Sequence, residues 1–181
     1  RLDLAYNNLK GTIPLELALF QDLTRLDLGG GPSEQLTGTI PPTIQTIRGL
    51  EELQLRNNLL TGQIPALRQW LRLRTLNLEG NQISGQLPRG IDRLRSLRSF
   101  NVRGNNLEGT ISQDFRNLAS LASLIVSENA FTGELPVGGS RMVRLRSVEA
   151  SGNQFSSITS SIGELPSLVF FLTQRNQIQG S

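Results

Sequence analysis

The sequence predicts an α/β repeat protein: about eight stacked units of 23–27 residues, with a parallel β-sheet on one side and short helical or 3₁₀ turns on the other. Residues 76–99 show the pattern most clearly, and they read LNLEGNQISGQLPRGIDRLRSLRS. Apolar residues alternate first, an Asn and a Gly-x-Leu-Pro element follow, and apolar residues then recur every third position. Self-similarity at a period of this length indicates a repeat solenoid.

The same pattern accounts for residues 1–181 as one solenoid, whose repeats begin near Leu2, Leu26, Leu53, Leu76, Phe100, Leu124, Val148 and Phe171. Arg1 falls inside a repeat, so we expect an uncapped segment of a longer protein, with further repeats or caps at both ends. The second repeat has three extra residues and lacks the Asn. Its Gly29–Gln35 segment predicts a bulged loop on the solenoid edge, which either carries contacts or is an inert expansion.

Each repeat opens with a Leu-x-Leu element, which predicts a short strand. Its two apolar side chains point inward, and the residues between and beside them face solvent. Neighbouring repeats should pair these strands side by side as a parallel sheet.

An Asn follows the strand in seven of the repeats. The chain turns sharply there, and its backbone groups need partners in a half-buried place. An amide side chain both donates and accepts, so it can bond the turn and the stacked neighbour. The sequence therefore predicts a structural ladder made of Asn7, Asn58, Asn81, Asn105, Asn129, Asn153 and Asn176.

The second half of each repeat predicts two further pieces. Gly followed by Ile-Pro indicates another extended segment with a fixed bend, because proline presets its own φ and lacks an N–H donor. Apolar residues at intervals of three, as in Ile91, Leu94 and Leu97, suit a short helical or 3₁₀ turn.

Composition argues against several classes of function. The chain has no Cys and no His, so it lacks the commonest general bases, thiol nucleophiles and metal ligands, and we predict no catalytic residues, no metal site and no cofactor. Its 18 basic and 15 acidic residues are spread along the chain, and nearly all the bases are arginine. Nucleic acid is therefore an unfavoured partner. No apolar run reaches the length of a membrane span.

Four hexamers carry a family resemblance: LKGTIP (9–14), LTGTIP (36–41), LTGQIP (60–65) and ISGQLP (83–88). Together with the Leu and Asn positions, they resemble the plant-type leucine-rich repeat over essentially the whole chain. The resemblance implies a right-handed, curved solenoid with its sheet on the concave face. It also implies a non-catalytic recognition role, as in the ectodomains of receptor-like kinases and receptor-like proteins, or in inhibitors of cell-wall enzymes. The chain departs from such ectodomains in lacking cysteine-bearing caps and Asn-x-Ser/Thr glycosylation sites.

A solenoid binds through side chains that its fold does not need. In the predicted concave face and on the edge that leads into it, the candidate partner-binding residues are Asp3, Arg25, Asp27, Gln54, Arg56, Asn77, Glu79, Arg103, Arg74, Arg98 and Arg146. Arg74, Arg98 and Arg146 share one register, which predicts an arginine-rich edge. Guanidinium groups suit carboxylates and phosphates, so this edge favours a partner that carries such groups. We expect a protein or peptide partner with acidic groups, or an anionic lipid surface. Phe170 and Leu172 are either covered by a following repeat or form an apolar docking patch.

Two function classes stay open. One is a receptor-like recognition module at the cell surface that binds a peptide, glycan or protein ligand, which the resemblance favours. The other is an architectural or adaptor subunit held permanently in a larger assembly, in an organelle or a membrane-associated complex, which the missing cysteines and glycosylation sites favour. The ligand, the compartment and the oligomeric state do not follow from the sequence.

Overall fold

A computed structural model describes residues 1–31 and 33–179, so Pro32 of the predicted loop and Gly180 of the last repeat lie outside the described residues. The Leu-x-Leu elements form the main sheet. Its eight strands, in spatial order, are β1 (Leu2–Asp3), β3 (Arg25–Asp27), β5 (Glu52–Gln54), β6 (Thr75–Asn77), β8 (Ser99–Asn101), β10 (Ser123–Ile125), β12 (Ser147–Glu149) and β14 (Phe170–Leu172). All neighbours are parallel, and Leu76 pairs with Leu53 on one side and with Phe100 on the other.

The Gly-x-Ile elements form further short parallel sheets beside the main one. One contains β2 (Gly11–Thr12) and β4 (Leu36–Thr37). A larger one contains β7 (Ser84–Gly85), β9 (Asn106–Thr110), β11 (Ala130–Leu135) and β13 (Gln154–Ile158). The predicted second extended segment is therefore confirmed.

The apolar triplets form five 3₁₀ helices in the described residues: Leu15–Leu19, Pro42–Thr46, Ile91–Arg93, Gln113–Asn117 and Ser160–Glu164. Spacing by three suits a 3₁₀ turn because it has three residues per turn. The third and sixth repeats cross this side in turns instead. Among the described residues, no helix is both long enough and apolar enough to cross a membrane.

The core is one continuous cluster between the main sheet, the second extended segments and the 3₁₀ helices. Trp70, Phe100, Phe115, Phe131 and Phe155 are its largest fully buried side chains. Phe100 and Phe115 meet edge to face, with ring centroids 5.5 Å apart. This packing supplies most of the stabilisation, since burial of apolar area dominates the folding of such a chain.

The asparagines form the predicted ladder over most of the chain. Asn105 is typical: its Nδ2 donates to Leu78 O (2.9 Å) and Val102 O (3.0 Å), and its Oδ1 accepts from Ile83 N (3.0 Å). Each Asn thus joins its own turn to the preceding repeat. Asn7 is exposed, and within the described residues its Nδ2 donates only to Ala5 O.

Candidate functional site

The outer surface of the main sheet, called the sheet face below, is the surface that the sequence predicts to be concave. In each strand, the residue between the two inward apolars lies on this face. Asp27 and Asn101 differ from the expectation of solvent exposure, because they are only 3 % and 8 % exposed. Arg25 and Arg56 contact the Asp27 carboxylate, and Asn101 Nδ2 donates to Glu79 Oε2, so neighbouring side chains help to cover both residues. Asp3 and Leu172, on the two outermost strands, are exposed.

Three of these buried or half-buried side chains also have a structural task. Asp27 accepts a hydrogen bond from Gly29 N at 3.1 Å. Asn77 accepts from Glu79 N, and Asn101 accepts from Arg103 N, both at 3.0 Å. Short acceptor side chains commonly bond the backbone two residues onward in this way. Predicting partner contact from strand position alone missed this role.

Arginine and acidic side chains form a network of ion pairs on the sheet face of the first three repeats, called the sheet-face network below. The Asp27 carboxylate lies 3.4 Å from Arg25 Nη2 and 3.5 Å from Arg56 Nη1. Arg25 also reaches Glu52 at 2.8 Å. The buried charge of Asp27 is tolerated because it is paired and hydrogen-bonded. Four predicted residues therefore meet here, since Gln54 accepts from Arg56 Nη1 at 3.2 Å.

Tyr6 completes this network, although the sequence analysis did not select it. The Arg56 guanidinium lies 5.5 Å from the Tyr6 ring centroid, and its Nη2 donates to the Tyr6 hydroxyl at 3.4 Å. That hydrogen bond, followed by the Asp27 carboxylate, raises the pKa of Arg56 above its usual range. An aromatic just beyond the first strand, two repeats before an arginine on the same face, is the signal that could have identified it.

Two exposed ion pairs flank the network. Arg1 Nη2 contacts Asp3 Oδ2 at 2.7 Å, and this hydrogen bond lowers the pKa of the Asp3 carboxyl. Farther along, Arg103 Nη2 contacts Glu128 at 2.6 Å, and this hydrogen bond raises the pKa of Arg103. Exposed pairs like these contribute little to stability, so their groups stay available to a partner.

The arginine edge, defined as Arg74, Arg98 and Arg146, is exposed along its length. Arg74 contacts Glu51 at 3.1 Å, whereas Arg98 and Arg146 have no carboxylate partner among the described residues. Backbone hydrogen bonds join the column, and Ala122 stands between Arg98 and Arg146. Above this small residue lies a shallow depression of about 320 Å³, lined also by Arg144, Ser120 and Ser167.

The insertion of the second repeat packs against both neighbouring repeats. A Cβ on Gly30 would lie 1.6 Å from Asn57 O, so only glycine fits there. Glu34 contacts Lys10 of the first repeat at 3.0 Å. On the other side, Gln35 donates to Asn57 O at 3.3 Å. Among its described residues the loop is therefore integrated into the edge rather than projecting freely.

Apolar side chains are exposed at both ends of the stack. At the last strand, Val169, Phe170 and Leu172 are 68, 61 and 39 % exposed. At the first repeat, Leu19 and Phe20 are similarly open. The outer edges of β1 and β14 pair with no further strand among the described residues. The expectation of a further repeat or cap at each end stays a prediction.

Comparison with known proteins identifies the class. The leucine-rich-repeat family model matches residues 48–107. The leucine-rich-repeat ectodomain of the receptor kinase SOBIR1 from Arabidopsis thaliana is 32 % identical, with a TM-score of 0.66, and the alignment covers 71 % of this chain and 68 % of that one. The chain belongs to the leucine-rich-repeat family.

Two longer ectodomains resemble it over nearly its whole length. The ectodomain of the Arabidopsis thaliana membrane receptor kinase GASSHO1/SCHENGEN3, in complex with CASPARIAN STRIP INTEGRITY FACTOR 2, is 35 % identical with a TM-score of 0.89; the match covers 96 % of this chain and 21 % of that one. The ectodomain of the Arabidopsis receptor kinase HAESA, in complex with an IDA peptide hormone ligand, is 31 % identical with a TM-score of 0.84. This match covers 93 % of this chain and 28 % of that one. The chain thus spans 21 to 28 % of these ectodomains. It spans 14 % or less of the curated plant receptor-like proteins that it matches.

Proposed function

We propose that this chain is a non-catalytic recognition module of a cell-surface receptor, and that it binds a segment of a protein or peptide along the sheet face. One observation carries the proposal. The main sheet presents a row of side chains that the apolar core does not use, polar on its first five strands and at Glu149, on a fold similar to an ectodomain that was crystallised with a peptide hormone. An open strip of this kind suits an extended chain better than a small molecule, which needs a concave pocket.

The arginine edge gives this strip a preference for acidic partners. Arg98 and Arg146 are exposed and have no carboxylate partner among the residues that the structure describes. A carboxylate on the partner would therefore meet a guanidinium that has not yet been neutralised. Such complementarity raises the association rate and selects the partner's orientation.

Selection of random peptides displayed on phage tests this function. We expect enrichment of peptides with Asp or Glu, and binding that weakens as salt is raised. Arg98→Gln combined with Arg146→Gln should lower affinity, whereas Arg48→Gln, on the 3₁₀-helix side, is the matched control. Ile125→Glu, at the middle of the sheet face, should also weaken binding because it adds a like charge beside the partner's acids.

A peptide population with no acidic enrichment, or affinity unchanged in both the edge and the Ile125 variants, would contradict the proposal. Retention on vesicles of phosphatidylserine but on no peptide would instead indicate an anionic lipid surface as the partner.

The exposed apolar ends favour a second candidate, a subunit held permanently in a larger assembly. Val169 and Phe170 would then be buried against a neighbouring chain rather than against a further repeat of the same protein. Sedimentation of native extract separates the two functions. A stable large complex that survives 1 M salt supports the subunit, and a free species supports the receptor module.

A further inference from the structure

A small polar cleft lies beside the 3₁₀ helices and shares no residue with the sheet-face network or the arginine edge. Gln113, Arg116 and Asn117 of the fifth repeat form one wall, and residues 138–141 of the sixth repeat form the other. The cleft has a volume of about 260 Å³.

The cleft exists because the sixth repeat does not form a 3₁₀ helix at this point. It has Gly138-Gly139 instead, and the backbone of Gly139 adopts a φ of 86°. A Cβ on Gly139 would lie 2.9 Å from Arg116 Nη2. Glycine therefore lets the Arg116 guanidinium lie directly against the backbone of the sixth repeat.

Both arginines are held in place by neutral acceptors. Arg116 Nε donates to Gly138 O at 3.3 Å, and its Nη2 donates to Ser161 Oγ at 3.2 Å. Arg141 Nη1 donates to Asn117 Oδ1 at 2.7 Å. A guanidinium has five N–H donors, so most of the donors of each group stay available.

Neither charge is neutralised within the described part of the chain. No carboxylate lines the cleft, and neither Arg116 nor Arg141 has an ion pair there. Glu134 accepts from Gln113 Nε2, a lining side chain, at 2.6 Å, and it has no ion pair with either arginine in the described residues. Two positioned, uncompensated guanidinium groups thus face one small polar space.

We propose that this cleft binds one tetrahedral oxyanion, a phosphate or sulfate group, between Arg116 and Arg141. Guanidinium forks match the oxygen spacing of such groups and form short, charge-assisted hydrogen bonds with them. The cleft has more volume than a bare ion fills, so the group can be a free ion or a monoester on a larger ligand. The site would act independently of a peptide on the sheet face.

Amide NMR titration tests the proposal. Sodium phosphate, phenyl phosphate and phenyl sulfate are added separately to ¹⁵N-labelled protein, with ionic strength held constant by sodium chloride. We expect saturable shifts at the amides of residues 138–141 and at the Arg116 Nε–H. Arg141→Gln should weaken binding about tenfold or more, the effect of losing one charge-assisted contact.

Two further variants test whether the effect is specific to this cleft and whether it depends on the position of the Arg116 guanidinium. Arg93→Gln changes the arginine at the same position two repeats earlier and should leave affinity unchanged. Gly139→Ala displaces the Arg116 guanidinium and should weaken binding while Arg141 is intact. Linear shifts that never saturate, or equal affinity in the Arg141 and Arg93 variants, would overturn the proposal. Tighter binding of the esters supports a group carried on a larger ligand, and equal or tighter binding of inorganic phosphate supports a free ion. None of these results bears on peptide binding at the sheet face.

Discussion

Replacing Asn105 by alanine is the sharpest test of how the repeats hold together. The Asn105 side chain makes four hydrogen bonds to the backbone, at Leu78 O, Val102 O, Arg103 O and Ile83 N. It is 7 % exposed, so water cannot easily replace it. The change removes all four contacts at once.

The cost depends on which backbone groups lose their last partner. Leu78 O still accepts from Asn81 Nδ2 at 2.9 Å, and Val102 O still accepts from Asn129 Nδ2 at 2.9 Å. The buried Ile83 N–H has no second acceptor among the described contacts. One orphaned buried donor costs about 1–3 kcal/mol, and the loss of the remaining bonds adds about 1 kcal/mol. We expect a loss of about 2–4 kcal/mol in the free energy of unfolding.

Urea unfolding followed by far-UV circular dichroism measures the loss, and amide hydrogen exchange locates it. Asn7→Ala is the matched control, because Asn7 occupies the same repeat position but donates only to Ala5 O. It should cost less than about 0.5 kcal/mol, as exposed contacts do. The amide of Ile83 should lose protection in the Asn105 variant alone. Equal losses in the two variants, or an unchanged Ile83 exchange rate, would refute the reasoning.

Three smaller predictions follow from single contacts. The pKa of Asp3 should lie below the usual range of an Asp, because Arg1 stabilises its charged form. The stability that this contact contributes is present above the unfolded pKa of Asp3 and is lost as pH falls through the folded pKa. Arg1→Gln should raise the pKa of Asp3, as measured by NMR titration of its carboxyl carbon. Trp70→Phe should cost less than about 1.5 kcal/mol in urea unfolding, because the buried indole Nε1 has no acceptor in the described residues, whereas Trp70→Ala should cost about 3–5 kcal/mol. Gly138→Ala should lower the melting temperature by several degrees, since its Cβ would lie 2.7 Å from the Ser161 backbone, and an unchanged melting temperature would contradict that clash.

The fold could be predicted because every repeat contains the same pattern of structural residues. The inward Leu packs in the core, the Asn bonds backbone groups at the turn, and the Gly-x-Ile element forms the second extended segment. Each of these roles recurs once per repeat, so the pattern is visible in the sequence. The structure pairs Leu53, Leu76 and Phe100 in one register, as the pattern aligns them. The replacement of the 3₁₀ helix by turns in the sixth repeat was not predicted, because it depends on Gly138-Gly139, which interrupts the apolar spacing there.

The site was less predictable because it depends on contacts across repeats. Strand position correctly placed Arg25, Asp27 and Arg56 on one face, but it could not show that Asp27 is covered by its neighbours. The role of Tyr6 depends on a residue 50 positions away in the sequence. Similarly, Arg116 lies against the backbone of the sixth repeat because residue 139 is a glycine.

The distribution of paired and unpaired charge indicates where a partner would gain free energy. Arg56 already contacts Asp27, Gln54 and Tyr6, so a partner that engages it must displace contacts of similar value. Arg98 has no carboxylate partner in the described residues, and a partner's acid would add a contact at little cost. We therefore expect opposite profiles for matched variants.

Arg56→Gln should lower the free energy of unfolding by about 1 kcal/mol and change peptide affinity less than threefold. Arg98→Gln should leave stability within about 0.5 kcal/mol and weaken an acidic peptide about threefold to tenfold. Urea unfolding and fluorescence anisotropy with a selected peptide measure the two quantities on the same proteins. If Arg56→Gln lowers the affinity for the peptide more than Arg98→Gln does, the charged network of the first three repeats is the main binding site and the arginine edge contributes less.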